Sequence, residues 1–192
     1  MTLKLTNLAL TAIMSGLIIA APVIAVPALA ATTVMVGGAS MMSDAKIPEN
    51  AAKASNLKTL VAALKAAGLV DTLNGKGPFT VFAPTDAAFA KLPPGTVDKL
   101  VQPEMKPQLT AILTYHVVPG RLTAADLKAD AMKHGGKATL KTVEGQTLTV
   151  EEKMGKWVVV DQAGHTATIE TPDVLQSNGV VHVINAVLMP KS

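Results

Sequence analysis

The chain has 192 residues, a formal net charge of +3 and no cysteine, so disulfides, cysteine-based chemistry and a cysteine-linked lipid anchor are excluded. All but one of its 17 basic residues are lysines spread along the chain, and aromatic residues make up only 3% of it. This composition argues against nucleic-acid binding, which requires clustered basic residues and stacking aromatics.

The N-terminus is typical of a secretory signal peptide. Lys4 precedes an apolar run over residues 8–21, and Ala28-Leu29-Ala30 has the small-x-small pattern of a signal-peptidase site. A transmembrane anchor is the alternative interpretation, but Gly16 and Pro22 interrupt the apolar run before it is long enough to span a bilayer. We therefore expect a signal peptide over residues 1–30, export to the periplasm or beyond, and no stable membrane insertion after cleavage.

Residues 31–45 are small and irregular, and we expect them to form a flexible leader. Apolar residues then recur at helical spacing over residues 57–67, and Gly68 stands where a helix ends in the left-handed conformation. A shorter helix is expected over residues 49–53. These helices open the single domain that we expect over residues 46–190.

Short strands and short helices alternate through the middle of the chain. Residues 79–83 predict a buried strand, and Thr85 follows it as the N-cap of a short helix. Residues 105–114 predict a longer helix, and residues 115–118 predict another strand. Thr123 is the predicted N-cap of a further helix.

The hydrophobic period changes from helical to two at Lys137. Turn pairs at Glu144-Gly145, Met154-Gly155 and Ala163-Gly164 separate short alternating runs, which predict an antiparallel meander. Helices come first and strands dominate the last third of the chain. This order predicts an α+β fold with helices packed against a mainly antiparallel sheet system.

The last predicted strand follows the turn pair Asn178-Gly179. It places Val180, His182 and Ile184 on one face and further valines on the other. A strand that is apolar on both faces is typical of the centre of a sheet. We therefore expect the C-terminal strand to enter a core formed by the preceding elements.

No catalytic sequence pattern is present: the chain lacks a Gly-x-Ser-x-Gly elbow, a Gly-rich phosphate loop and a His-Glu-x-x-His pair. His116 and His182 lie in apolar segments, which favours neutral, hydrogen-bonded core histidines and leaves a ligand set or an acid/base pair as the alternative. Tyr115 and Trp157 are expected to pack rather than to stack on a ligand, since a single aromatic residue makes no carbohydrate platform. We therefore expect no enzyme, no cofactor and no metal.

Two aspartates have predicted roles. Asp173 follows Pro172 in a predicted exposed bend, where a carboxylate can contact a partner's cation or basic patch, or can cap a turn locally. Asp86 begins a short helix, where the helix dipole favours a carboxylate.

Three blocks of sequence resemble, in order and spacing, the signatures of the fasciclin domain family. Thr80-Val81-Phe82-Ala83-Pro84-Thr85-Asp86-Ala87-Ala88-Phe89 resembles the first signature, residues 113–118 resemble the central tyrosine-histidine motif, and residues 178–185 resemble the second signature. The likeness extends over residues 46–190, and the overall form is similar to small secreted bacterial members with a single domain. It implies a wedge of two mainly antiparallel β-sheets with several short helices packed along one side.

The resemblance also implies a role in adhesion. Some animal members engage integrins through a Pro-Asp segment before the second signature and through the tyrosine-histidine region. Pro172, Asp173 and Val174 occupy the first position here, and Tyr115 and His116 occupy the second.

Two positions depart from the family pattern: Thr171 stands where those animal members carry glutamate, and Asn185 stands where many members carry aspartate. Other residues of the three blocks are expected to be structural. They are His182, Asn178, Gly179, Phe82, Thr85 and Asp86.

The resulting hypothesis is an exported, non-enzymatic module for cell adhesion or surface recognition, which contacts a cell-surface or matrix protein. The alternative is an exported ligand-binding or enzymatic protein with a pocket between helices and sheet. A third possibility is a stable envelope protein with weak, broad contacts.

Overall fold

The computed structural model describes residues 33–191, and the predicted signal peptide over residues 1–30 lies outside them. The strands of the described part are β1 (Val34–Val36), β2 (Ala39–Met41), β3 (Phe79–Pro84), β4 (Val117–Pro119), β5 (Lys137–Lys141), β6 (Thr147–Lys153), β7 (Lys156–Val160), β8 (Thr166–Gln176) and β9 (Gly179–Ile184). Its α-helices are α1 (Ile47–Lys53), α2 (Lys58–Ala67), α3 (Val70–Leu73), α4 (Asp86–Phe89), α5 (Thr96–Leu100), α6 (Lys106–Tyr115) and α7 (Ala124–Lys133). A 3-10 turn over Pro103–Met105 precedes α6.

The C-terminal strand β9 lies at the centre of the main sheet. The strand order is β4-β3-β9-β8-β7-β6-β5, in which β9 runs parallel to β3 and antiparallel to β8. All six residues of β9 are buried. The central position predicted from the two apolar faces of this strand is therefore confirmed, as is the antiparallel meander formed by β5 to β8.

The long strand β8 divides this ladder into two halves. Its first residues pair with β7, and from Ile169 onward it pairs with β9, with register shifts between Ile169 and Val174. Such bulges bend a strand and increase its twist. One apolar cluster fills the space between β3, β9 and the helices, and a second fills the space between the two halves of the ladder. The structure therefore confirms the α+β wedge, with its two sheets joined through β8.

The N-terminal part of the predicted leader is not irregular. Residues 34–41 form the hairpin β1–β2, and Val36 and Met41 are 4% and 2% exposed in the first apolar cluster. Gly37 and Gly38 connect the strands with φ values of 55° and 77°, which residues with a Cβ rarely adopt. The prediction of a flexible leader is wrong for this hairpin, because two buried side chains attach it to the core.

The predicted strand over residues 115–118 is also partly wrong. Tyr115 is the last residue of α6, His116 is its C-cap, and only Val117–Pro119 pairs with β3. The β-branched pair after His116 indicated a strand, but the helix continues to Tyr115. Its apolar face, formed by Leu109, Ile112 and Leu113, packs in the first cluster.

Candidate recognition site

His182 is fully buried on β9 and connects the sheet to the segment before α7. Its Nε2–H donates to the Leu122 carbonyl at 2.9 Å, and its Nδ1 accepts the Asp173 amide N–H at 3.3 Å. Its ring stacks on Phe82 with centroids 5.6 Å apart. Burial lowers the pKa of His182, so the imidazole is neutral at physiological pH and both ring nitrogens are used internally.

Asn178 and Gly179 close the turn into β9 against the helical layer. The Asn178 side chain accepts the Ile47 amide N–H at 3.1 Å and donates to the carbonyl of Gly75 at 3.2 Å. A Cβ on Gly179 would lie 2.0 Å from the Phe79 carbonyl oxygen. Glycine is therefore required at this point, because β3 and β9 approach each other too closely for any side chain.

The side chains of Thr85 and Asp86 each satisfy the N-terminus of a helix, but not of the same one. Thr85 Oγ1 accepts the Ala88 amide N–H at 3.2 Å and starts α4. Asp86 belongs to the first turn of α4, yet its Oδ1 accepts the Thr59 amide N–H at 2.7 Å in the first turn of α2. The carboxylate therefore caps a helix distant in sequence, which a pattern read along one helix does not predict.

Tyr115 and His116 are 0% and 2% exposed and make internal hydrogen bonds. Tyr115 Oη donates to the Thr147 carbonyl at 3.0 Å. His116 Nδ1–H donates to the Ile112 carbonyl at 2.8 Å, and Nε2 accepts the Leu188 amide N–H at 3.0 Å. Burial lowers the pKa of His116 to about 4. The expected partner contact at these two side chains is corrected, since the structure closes both off from the surface.

The segment around Asp173 is a bulge of β8 and not a free bend. Asp173 has a φ of 55°, is half-buried, and accepts the Ala124 amide N–H at 2.7 Å through Oδ1. Ala124 is the first residue of α7, so the carboxylate satisfies a helix N-terminus. Val174 is 1% exposed, which also removes it as a contact residue. Of the predicted contact residues, Pro172 alone is exposed.

A groove of about 540 Å³ opens beside Pro172, between the start of α7 and the strands β7 and β8. Leu127, Trp157 and Ile169 supply apolar surface, while Lys156 and Glu170 are exposed and Asn185 is half-buried. These residues lie in four separate parts of the chain. Sequence analysis kept a pocket between helices and sheet as the alternative but did not identify these residues, because nothing in their spacing indicates that they converge.

Among residues 33–191, no three histidine, aspartate or glutamate side chains are placed to hold a metal ion. Within the same range, no helix is both long and apolar enough to cross a membrane.

Known proteins with similar sequences include bacterial and animal members of one family. Protein sll1483 of Synechocystis sp. is 43% identical, and the alignment covers 92% of this chain and 92% of that protein. Immunogenic protein MPB70 of Mycobacterium bovis is 38% identical over 80% of this chain and 75% of its own. Transforming growth factor-beta-induced protein ig-h3 of Sus scrofa is 39% identical over 68% of this chain but only 17% of its own length.

The fold matches a solved structure of two FAS1 domains from the insect cell adhesion molecule fasciclin I. The TM-score is 0.68 at 24% identity, and the match covers 76% of this chain and about half, 51%, of the domain pair. The sequence profile of the fasciclin domain matches residues 55–190. The chain belongs to the fasciclin domain family.

Proposed function

We propose that this protein is exported and acts as a non-enzymatic recognition module at the cell surface, where it binds another protein. Membership in the fasciclin family supports the proposal, since the similar FAS1 pair comes from a cell adhesion molecule. A further relative, 37% identical, is the cell surface glycolipoprotein MPB83 of Mycobacterium bovis. The proposal needs a contact surface that is accessible and held in shape.

The bulge at Pro172 is the observation that carries the proposal. Pro172 is exposed, while the next residue, Asp173, is held by Ala124 at 2.7 Å and by His182 at 3.3 Å. A contact that is already ordered loses little conformational entropy when a partner binds. A side chain presented on such a bulge is therefore suited to recognition. In this proposal Pro172 makes the contact, and Asp173 holds the backbone that presents it.

A solid-phase binding assay tests this surface. The purified protein is applied to intact cells of its own species, before and after protease treatment of those cells. The variant Pro172→Lys is compared with Pro94→Lys, a matched change at another exposed proline. We expect binding that protease treatment abolishes, that Pro172→Lys weakens about tenfold, and that the control retains. Equal binding of both variants would reject the site, and binding no better than background would reject the function.

Export has a separate test. The signal-peptide proposal requires the secreted or periplasmic protein to begin at Ala31, which N-terminal sequencing or intact mass determines directly. A protein recovered only from the cytosol with residues 1–30 attached would contradict export.

A ligand-binding protein with a pocket between helix and sheet is the second candidate. The groove between α7 and the strands favours it, because its volume of about 540 Å³ is that of a small-molecule site. The enzymatic version has less support, since His116 and His182 use their ring nitrogens in internal hydrogen bonds.

A further inference from the structure

We propose that the groove between α7, β7 and β8 binds a neutral saccharide. Trp157 would stack against the C–H face of a sugar ring, and Asn185, Lys156 and Glu170 would bind its hydroxyl groups. The inference goes beyond the protein contact proposed at Pro172 and does not depend on it, since a free sugar suffices to test it.

Two large apolar side chains that line the groove are only partly buried and remain accessible to a ligand. Trp157 is half-buried and packs against the second apolar cluster with Ile169 beside it, yet both also line the groove. The buried side chain of Leu127 supports them from α7. A single tryptophan is no carbohydrate platform by itself. Here it adjoins three polar groups on the rim of one cavity.

Asn185 offers a donor of fixed orientation. Its Oδ1 accepts the Thr168 amide N–H at 2.9 Å, which identifies Nδ2 as the other end of the amide. Within residues 33–191, Nδ2 has no hydrogen-bond partner, and neither does the Trp157 indole N–H. Both polar groups are thus available to a ligand hydroxyl, which can accept from them and donate elsewhere.

The charges on the rim favour a neutral ligand. Lys156 supplies one cation and Glu170 one anion, and neither forms an ion pair with any other residue of the described chain. A phosphate or other anion would meet the Glu170 carboxylate, and a cation would meet the Lys156 ammonium. Hydroxyl groups can bind both, because a hydroxyl is donor and acceptor at once.

The size of the groove favours a small ligand. Two strands line it, β7 and β8, which pair with each other only over Val158–Val160 and Thr166–Thr168 and separate where the groove opens. A peptide is therefore compared with the sugars in the test below. The volume of about 540 Å³ lies in the range of sites for small ligands, which a mono- or disaccharide fills.

Trp157 makes the test direct, because it is the only tryptophan in the chain and its fluorescence reports on the groove. The purified protein is titrated with cellobiose, maltose, lactose and N,N′-diacetylchitobiose at millimolar concentrations. Glucose 6-phosphate, glucosamine and a proline-rich peptide serve as charged and peptide counterparts. We expect a saturable change in Trp157 emission with at least one neutral sugar and weaker or no response to the counterparts.

Two variants assign the response to the rim. Asn185→Asp keeps the acceptor for the Thr168 amide but removes the free donor, and Glu170→Gln removes an exposed charge with no internal partner. Each should weaken sugar binding about fivefold or more, since Asn185→Asp loses one donor and Glu170→Gln replaces a charge-assisted hydrogen bond by a neutral one. Glu104→Gln, at an exposed glutamate on the 3-10 turn before α6, is the matched control and should bind as the unmodified protein does.

Several results of these titrations would contradict the saccharide site. No saturable response to any sugar, unchanged affinity in Glu170→Gln, or a preference for the phosphate, the amine or the peptide would each overturn the saccharide site. If circular dichroism shows that Asn185→Asp does not fold, the comparison of Glu170→Gln with Glu104→Gln decides alone. Cell binding that persists in Asn185→Asp while sugar binding is lost would separate this site from the proposed protein contact.

Discussion

Replacing His182 by aspartate tests how β9 is held in the core. The imidazole is fully buried, donates to Leu122 at 2.9 Å, accepts from Asp173 at 3.3 Å and stacks on Phe82. An aspartate at this position is too short to reach the Leu122 carbonyl oxygen and has no proton to donate to it, so that oxygen would lose its partner. The charge would also be buried without a cation to pair with it.

The expected cost follows from these contacts. A buried charge left without its partner costs about 3–5 kcal/mol, a large part of the roughly 5–15 kcal/mol by which a domain is stable. For a domain of this size, about 1 kcal/mol lowers Tm by roughly 2–4 °C, so His182→Asp should lower Tm by roughly 6–20 °C. His182→Phe keeps a ring against Phe82 but leaves two backbone groups unpaired, and should cost about 2–4 kcal/mol.

Thermal unfolding gives the Tm of both variants and urea unfolding gives their free energy of unfolding, each followed by Trp157 fluorescence and by circular dichroism. His134→Asp is the matched control, because His134 is exposed at the end of α7 and its replacement should change stability by about 1 kcal/mol or less. A Tm of His182→Asp within 2 °C or so of the unmodified protein would refute the assignment of His182 as a buried, internally bonded residue.

Three further outcomes are expected. The pKa of His116 is lowered to about 4 in the folded protein against 6.5 unfolded, so the unfolded state binds the proton first and stability falls as pH drops from about 6.5 towards 4. That loss should reach roughly 3 kcal/mol at pH 4 for His116, and a flat profile of urea midpoints over this range would contradict it. Asp173→Ala removes the acceptor for the Ala124 amide and should cost about 0.5–2 kcal/mol by urea unfolding, as the loss of an N-cap does, whereas an unchanged midpoint would argue against the cap. Gly179→Ala places a Cβ 2.0 Å from a backbone carbonyl of β3 and should prevent folding or lower Tm by more than 10 °C or so, while Gly38→Ala, with open space around it, should cost only about 1 kcal/mol of backbone strain.

The helices and strands were largely predictable because their signals are local. The capping position Thr123 precedes α7 in a capping box with Asp126, and Gly68 ends α2 with a φ of 75°. The turn pairs of the meander separate the strands at the expected points. Each of these signals acts through backbone conformation or through hydrogen bonds a few residues away, so the sequence contains it in readable form.

The hairpin β1–β2 shows where local signals fail. Its composition is that of a loose leader, with small residues and two glycines, yet Val36 and Met41 are buried against helices that come later in the chain. A three-residue strand has too short a pattern to reveal its burial, and the surface that covers it is formed by other elements.

The candidate site was predictable only in part. Pro172 is exposed as expected, but Tyr115, His116 and Val174 are buried and Asp173 is turned inward. The same residue types serve as contact residues and as structural residues, and only their accessibility to a partner distinguishes the two roles. Accessibility is set by everything that packs on a residue, and no window of sequence contains that information.

Most of the order of helices and strands, the central place of the last strand and the family could be predicted from the sequence, because periodicity, turn residues and signature blocks are properties of neighbouring positions. Which side chains reach the surface, and which groups meet there, could be read only from the folded chain. Asp173 and Ala124 are 49 residues apart, and His182 and Leu122 are 60 apart. The groove, too, joins a helix, two strands and the segment after β9. These contacts join residues that are distant in sequence, and they form only when the elements that carry them pack together in the completed core.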